Sequence, residues 1–294
     1  MTVLVTGATG NVGRHLVPAL LADGVRVRAL VRDVARAPAG VEAVEGDLLR
    51  PGTLAGAAEG MDAVFLLWPS LSPDGAAEAV RALAAPGRHV VYLSTMTVRD
   101  DRTPTENGVW GQVEEAVRRS GASWTFLRAG GFATNTLAWA ADIRDTSEVR
   151  WVYGGAGRSL LHERDIAAVA ARALTDPRHV AQAYVLTGPE VVTQADQARI
   201  IGEVIGRPVR WVELTPDEAR RELLADWGDP QLVDASLAYW GSLVTAPEPV
   251  TRTVEQLTGS PARTFRTWAT DHADHFHQPA GRDDLQPAGR DDVA

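Results

Sequence analysis

Three glycines near the start of the chain have the spacing of a phosphate-binding turn. Gly7, Gly10 and Gly13 form a G-x-x-G-x-x-G pattern within "VTGATGNVG", between an apolar run and a segment with leucines at helical spacing. Glycines at such a turn let backbone N–H groups approach a pyrophosphate and let the helix pack against the strand. The pattern predicts a dinucleotide site here. We expect its phosphate-binding part to consist of Gly7, Thr9, Gly10, Asn11, Val12 and Gly13.

The end of the second predicted strand indicates which dinucleotide is bound. The segment "ALVRD" places Arg32 about 20 residues past the glycines, where an acidic side chain would hold a free ribose 2′-hydroxyl. An arginine there can bind a 2′-phosphate through two parallel hydrogen bonds. The sequence therefore predicts NADPH, and NADH stays open because Asp33 is adjacent. The remaining predicted contacts of the cofactor, all beside its adenosine half, are Asp47, Leu48, Leu67, Trp68 and Pro69.

The elements that position these residues alternate between strand and helix. Short apolar segments followed by segments of helical periodicity predict an α/β fold, a Rossmann-type doubly wound parallel sheet. Tryptophan-bearing amphipathic segments after it predict a smaller, mainly helical substrate lobe. We assign residues 1–129 and 150–187 to the NAD(P)-binding domain and residues 130–149 and 188–277 to the lobe. Residues 278–294 contain "QPAGRDD" twice and are predicted to be a disordered tail.

Composition excludes several classes of function. A formal net charge of −9 disfavours nucleic acid as a partner. The chain contains no Cys, which excludes thiolate chemistry and is compatible with a reducing cytosol. No apolar segment reaches the roughly 20 residues of a membrane-spanning helix. We therefore expect a cytoplasmic protein, a monomer or homodimer with no membrane partner. We also expect no metal site, since "HADHFH" is interpreted as a solvated helix end.

Taken together, these segments resemble the atypical, NmrA-like branch of the short-chain dehydrogenase/reductase superfamily. The resemblance depends on "VTGATGNVG", "EGDL", "DAVFLLWP", "VVYLST" and "RDIAAVAARAL", in this order. It implies a nicotinamide ring near Ser94 and Thr95, which are candidate catalytic residues able to hydrogen-bond a carbonyl or the substrate. Typical members also place a Tyr and a Lys four residues apart on the next helix. The aligned positions here are Trp110 and Glu114.

No side chain on that helix can replace the missing pair. An indole N–H is not a usable acid, and a carboxylate cannot replace a cation. The chain contains no Lys, and its four Tyr residues lie outside this helix. Because a positioned acid contributes about 10²–10⁴-fold, its loss weakens carbonyl reduction without preventing it.

Two classes of function remain open. The first is an NADPH-dependent ketoreductase acting on a small aromatic, polyketide-like natural product, as in antibiotic biosynthesis, with the proton supplied by the substrate's own phenol. Quinone reduction with NADPH is closely related to it. The second is an NADP-binding redox sensor without turnover. The tryptophan-bearing lobe favours the enzyme. The candidate substrate contacts, which are expected to face the cleft, are Trp110, Phe132, Asn135 and Trp139.

Overall fold

Seven parallel strands form the central sheet of the computed structural model, which describes residues 1–277; the predicted tail lies outside the described residues. The strands of the chain are β1 (Thr2–Thr6), β2 (Arg26–Val31), β3 (Glu42–Glu45), β4 (Ala63–Leu66), β5 (His89–Thr95), β6 (Ser123–Ala129), β7 (Glu148–Val152), β8 (Gly157–Arg158), β9 (Gln182–Leu186), β10 (Val192–Thr193) and β11 (Arg210–Leu214). The sheet has the order β3-β2-β1-β4-β5-β6-β9. The direction of winding reverses between β1 and β4, the position where doubly wound folds bind their ligands. The predicted fold class is confirmed.

The helices within residues 1–277 are α1 (Gly13–Ala22), α2 (Ala76–Leu83), α3 (Gly108–Arg119), α4 (Ala140–Thr146), α5 (Glu163–Thr175), α6 (Gln194–Val204), α7 (Pro216–Trp227), α8 (Pro230–Ser242), α9 (Thr253–Thr258) and α10 (Phe265–Asp271). Four of them cover the two faces of the central sheet. On one face α1 and α5 pack through Leu16 and Val169, and on the other α2 and α3 pack through Val80 and Val113. Because both faces are buried, the central strands are almost entirely apolar.

The remaining strands form two smaller sheets outside the central one. β7 pairs in parallel with β11, and β8 pairs antiparallel with β10. Residues 150–152 and 157–158, which we expect in the NAD(P)-binding domain, therefore pair with strands that we expect in the lobe. This pairing cannot be read from the sequence, because a short apolar strand does not specify its partner. The division into domain and lobe stays a prediction. No helix within residues 1–277 is both long and apolar enough to cross a bilayer.

Candidate active site

The glycine turn lies between β1 and α1, and its geometry requires residues without side chains. Gly7 has a φ of +63°, in the left-handed region, and its carbonyl accepts a hydrogen bond of 3.0 Å from the N–H of Gly10. A Cβ on Gly13 would lie 2.1 Å from the Gly7 carbonyl oxygen. The first turn of α1 can therefore pack directly against the loop, and its N-terminal N–H groups are available to a phosphate.

A cavity of about 490 Å³ opens beyond the carboxyl ends of β1 to β4. Eight of the twelve predicted cofactor contacts line it: Gly7, Thr9, Gly10, Arg32, Asp47, Leu48, Leu67 and Pro69. The other four do not. Val12 and Gly13 are buried, Asn11 is exposed elsewhere, and the Trp68 indole is buried and donates a hydrogen bond of 2.9 Å to the carbonyl of Ser72. The wall also contains residues outside the predicted contacts, namely Thr6, Leu30, Val31, Asp33, Arg36, Gly46 and Leu49.

The charged groups of this cavity suit a nucleotide with a 2′-phosphate. The carboxylate of Asp33 accepts a hydrogen bond of 3.0 Å from the N–H of Ala35 and so caps a short 3₁₀ turn. Neither Arg32 nor Arg36 forms a side-chain hydrogen bond or ion pair with any residue of the described range, and both are exposed. The guanidinium groups of Arg32 and Arg36 are free to bind a 2′-phosphate, whereas the Asp33 carboxylate already accepts a backbone hydrogen bond. This arrangement fits NADPH better than NADH.

The reactive end of the sheet, at β5 and β6, is built differently. Ser94 lies beside Arg128 in the strand register, and both side chains contact Glu114 of α3. The Ser94 hydroxyl donates to Glu114 Oε1 at 2.7 Å, and Arg128 donates through Nε to Oε1 at 3.0 Å and through Nη2 to Oε2 at 2.9 Å. All three residues are at most 5% exposed. These polar groups are therefore occupied by one another, and the Ser94 proton is directed away from a substrate.

Arg128 also holds the loop that follows β5. Its Nη2 donates to Asp100 at 2.6 Å, and this hydrogen bond lowers the pKa of the Asp100 carboxyl. Beneath the ion pair, the hydroxyl of Tyr92 is buried without a hydrogen-bond partner in residues 1–277. Burial and then the charge of Glu114 raise the Tyr92 pKa far above its usual value. Tyr92 therefore keeps its proton. Sequence reasoning missed Arg128, although an arginine that ends an apolar strand is a visible signal.

The other predicted reactive and substrate residues lie in different surroundings. Thr95 is partly exposed at the end of β5, and its Oγ1 is 3.3 Å from the Thr97 hydroxyl. Phe132 and Asn135 follow β6 at the same edge, with Asn135 exposed. Trp110, by contrast, packs against the apolar cluster between the sheet and α2 and α3.

Trp139 is part of the lobe core. Its ring packs edge-on against Trp151 and Trp211, with centroids 6.2 and 5.9 Å apart, and it is 7% exposed. This packing, like that of Trp110, argues against a substrate contact.

A third charged cluster joins the sheet to the lobe. The buried carboxylate of Glu163, at the start of α5, lies 2.9 Å from His272 Nε2 and 3.3 Å from Arg14 Nη2. Burial raises the Glu163 pKa, but the imidazoles of His162 and His272 outweigh burial and hold it well below its usual range. Burial alone would lower the pKa of His272, yet Glu163 and the Trp268 carbonyl raise it.

Comparison with known proteins agrees with this geometry. Residues 7–177 match the model of a family described as NAD(P)H-binding. The chain is 42% identical to a (4-alkanoyl-5-oxo-2,5-dihydrofuran-3-yl)methyl phosphate reductase of Streptomyces griseus, covering 93% of this chain and 99% of that protein. It is 37% identical to an NAD(P)H azoreductase of Xenophilus azovorans, with the same coverage.

A solved structure has the same fold. The NADPH complex of an NADPH-dependent quinone oxidoreductase from Escherichia coli superposes with a TM-score of 0.76 at 22% identity, over 92% of this chain and 99% of that one.

Proposed function

This chain belongs to the NAD(P)H-binding family of atypical short-chain dehydrogenase/reductases, and on that premise we propose that it uses NADPH to reduce a double bond conjugated with carbonyl groups. It is an NAD(P)H-dependent oxidoreductase; the finer proposal concerns the acceptor. An isolated ketone that takes up hydride concentrates the negative charge on one alkoxide oxygen, and a positioned acid lowers the barrier to this step by about 10²–10⁴-fold. A conjugated acceptor spreads the same charge over an enolate, so its reduction depends less on a side-chain acid, and the enolate carbon can take its proton from water.

The observation that carries the proposal is the occupied state of the β5–β6 end. Ser94, Glu114 and Arg128 are buried and bonded to one another at the place where a proton donor is usually found. Tyr92 is buried below them with a raised pKa. Thr95 is a nearby residue whose hydroxyl remains partly exposed, and a threonine hydroxyl is a hydrogen-bond donor without being an acid at neutral pH. The site is therefore suited to acceptors that need no side-chain acid.

The names of the two relatives support an acceptor with a conjugated, electron-poor double bond. The Streptomyces protein is named for a ring with a double bond next to both the ring carbonyl and the alkanoyl carbonyl. The Xenophilus protein is named for azo compounds, whose N=N bond is likewise an electron-poor conjugated acceptor. We propose the carbonyl-conjugated class for this chain, because the Streptomyces protein is the more similar of the two.

The residues of the two ends then have separate tasks. Gly7 and Gly10 would hold the pyrophosphate, with Gly13 letting α1 pack against the turn, and Arg32 with Arg36 would bind the 2′-phosphate of NADPH. Bound NADPH supplies the hydride, which forms a C–H bond at the far carbon of the conjugated double bond. The electron pair of that double bond moves to the carbonyl oxygens, and the carbon between them then takes a proton from water. Thr95 can donate a hydrogen bond to one of the oxygens.

Loss of NADPH absorbance with matched acceptors tests the proposal. An α-acetyl butenolide and its saturated counterpart, α-acetyl-γ-butyrolactone, have the same ring and ketone and differ in the conjugated double bond. We expect rapid NADPH consumption with the first and none with the second. Comparable rates with both would contradict the proposal.

The aromatic ketone substrate and the turnover-free redox sensor stay as alternatives, and the same assay includes their tests. Hydroxylated aromatic ketones and a naphthoquinone are added to the panel as further acceptors. Reduction of the aromatic ketones in preference to the butenolide would favour the aromatic polyketide substrate. Tight NADP⁺ binding without consumption of NADPH by any acceptor would favour the sensor.

A further inference from the structure

A second arginine lies just beyond the end of β6. Arg158 belongs to β8, and its guanidinium rests against Gly131, two residues past the strand. A Cβ on Gly131 would lie 2.2 Å from Nη2 and 3.1 Å from Cζ of Arg158. The guanidinium can occupy this position because residue 131 has no side chain. It therefore lies at the carboxyl edge of the sheet, where doubly wound folds bind their ligands.

One edge of this guanidinium is held by a buried carboxylate. Arg158 Nε donates to Glu248 Oε1 at 2.7 Å, and the Glu248 side chain is 1% exposed. Glu248 also accepts from the hydroxyl of Tyr239 at 2.7 Å and from the N–H of Ser159 at 2.8 Å. The Arg158 guanidinium carbon lies 5.8 Å from the centre of the Tyr239 ring. The orientation of the guanidinium is thus fixed before any ligand arrives.

Within residues 1–277, no protein group hydrogen-bonds to the opposite edge of the guanidinium. Nη1 and Nη2 have no partner in this range, and neither nitrogen is fully buried. The side chain is 14% exposed. A purely structural ion pair would use the bidentate edge for the carboxylate. Arg158 instead uses Nε for Glu248 and leaves its two-nitrogen edge available.

We propose that the free edge of Arg158 binds the two carbonyl oxygens of the acceptor, so that the substrate is a compound with both carbonyls on one alkene carbon. This inference rests on the function proposed above and specifies its substrate class. When two carbonyl groups are bonded to the same carbon, their oxygens can lie side by side in one plane. A guanidinium recognises a similar planar pair of oxygens in a carboxylate. An acceptor with one carbonyl fills half of this site.

The same contact stabilises the charge that reduction creates. Hydride addition breaks the π bond of the alkene, and its electron pair spreads over the two carbonyl oxygens. Fixed N–H donors at the position of a developing oxyanion lower the barrier, because they need not reorganise during the reaction. Arg158 would supply both donors and a full positive charge. The enolate is then protonated by water on the carbon between the carbonyls, which completes the reduction.

Two substitutions test this role through different changes. Arg158→Gln removes the charge, and Gly131→Ala keeps the arginine but pushes its guanidinium out of place. For both variants we expect kcat/KM with the α-acetyl butenolide to fall by about 10²-fold or more. The rate with a butenolide that lacks the acetyl group, and so has one carbonyl, should fall less. Arg150→Gln, at an exposed lobe arginine paired with Glu222, is the matched control and should change neither rate.

A binding measurement separates this inference from the proposed function. The enolate of α-acetyl-γ-butyrolactone carries the oxygen pair and has no double bond to reduce, so calorimetry can measure its affinity without turnover. We expect Arg158→Gln and Gly131→Ala to weaken its binding to the NADP⁺-loaded protein by about tenfold or more, with NADP⁺ affinity unchanged. A loss of this size in a protein that reduces no acceptor would overturn the proposed function and support the Arg158 site.

Two results would overturn the inference itself. One is unchanged enolate affinity and unchanged butenolide kinetics in both variants. The other is an equal fall in the rates with the two butenolides, together with a lower melting temperature, which is the behaviour of a structural residue. Arg158→Lys keeps the charge without the fork and should recover part of the butenolide rate and little of the enolate affinity.

Discussion

The two ends of the sheet's carboxyl edge differ in what their charged groups do. At β1 and β2, Arg32 and Arg36 line an open cavity, and their side chains have no hydrogen-bond or ion-pair partner among residues 1–277. At β5 and β6, Glu114 and Arg128 are buried and satisfy each other. The first end is prepared for an anionic ligand, whereas the second has used its charges internally. The charged groups at β1 and β2 are therefore available to bind the cofactor. Those at β5 and β6 stabilise the fold, and the proton for the reaction comes from solvent or substrate.

Breaking the buried ion pair of Glu114 and Arg128 should have the largest effect on stability. Glu114→Ala leaves the buried cation of Arg128 without its main partner, and we expect a loss of unfolding free energy of about 3–5 kcal/mol in urea titrations. Asp100→Ala removes the exposed partner of the same arginine and should cost about 0.2–1 kcal/mol. Equal costs for the two variants would show that the β5–β6 end does not depend on the buried pair.

Removing an exposed, unpaired charge should instead weaken nucleotide binding without changing the free energy of unfolding. Arg32→Ala is expected to weaken NADPH binding by about 1.5–3 kcal/mol, because one hydrogen-bonded charge pair with the 2′-phosphate is lost. NADH affinity should not change. Isothermal titration of both nucleotides measures this difference, with exposed Arg81→Ala as the control. A parallel loss of both nucleotides would contradict the assignment of Arg32 to the 2′-phosphate.

A substitution in the glycine turn tests the cofactor cavity by steric hindrance and should have a smaller effect. Gly13→Ala places a methyl group against the Gly7 carbonyl and the Ala8 backbone, so α1 must move away from the turn. We expect a stability loss of about 1–3 kcal/mol and a rise in the NADPH dissociation constant. Gly52→Ala adds the same methyl group where nothing lies within 4 Å and should change neither. Unaltered NADPH affinity in Gly13→Ala would remove the turn from the phosphate site.

The smallest expected effect is a pH dependence of the stability that His272 contributes. This residue contacts Glu163, whereas the pair of Glu114 and Arg128 contains no histidine. Because the folded state raises the pKa of His272, this residue adds stability below about pH 6.5, its usual value, and the gain disappears as pH rises through the folded pKa. His272→Gln should therefore cost more at pH 6 than at pH 8.5, by roughly 1 kcal/mol. Urea titrations at the two pH values measure it. A cost independent of pH would mean that His272 acts through packing alone.

How much of this could be predicted from sequence depends on how local each interaction is. The glycine turn and Arg32 are readable because a strand, a turn and a helix that follow one another in the chain form the cofactor site. Domain boundaries were less accessible, since the pairing of β7 with β11 joins residues about 60 positions apart. Pattern alone predicts that a strand exists and leaves its partner open.

The reactive end was the least predictable part. Glu114 could be recognised as an unusual residue on its helix, but its ion pair with Arg128 follows from the register of β5 and β6. Arg158 and Glu248 are 90 positions apart, and no local pattern links them. Trp139 was expected to face the substrate because it follows β6, and it packs instead against Trp151 and Trp211 of the lobe. Side-chain direction in an irregular segment depends on tertiary packing, which spacing does not encode.

The position of the transferred hydrogen tests the central claim most directly. NADPH that carries deuterium at the transferred position is incubated with the protein and the α-acetyl butenolide, and the product is examined by NMR. We predict deuterium on the ring carbon that was the far end of the double bond, with both carbonyl groups intact. Deuterium on a newly formed carbinol carbon would contradict the account, because it would mean that hydride adds to a carbonyl carbon and not to the conjugated double bond.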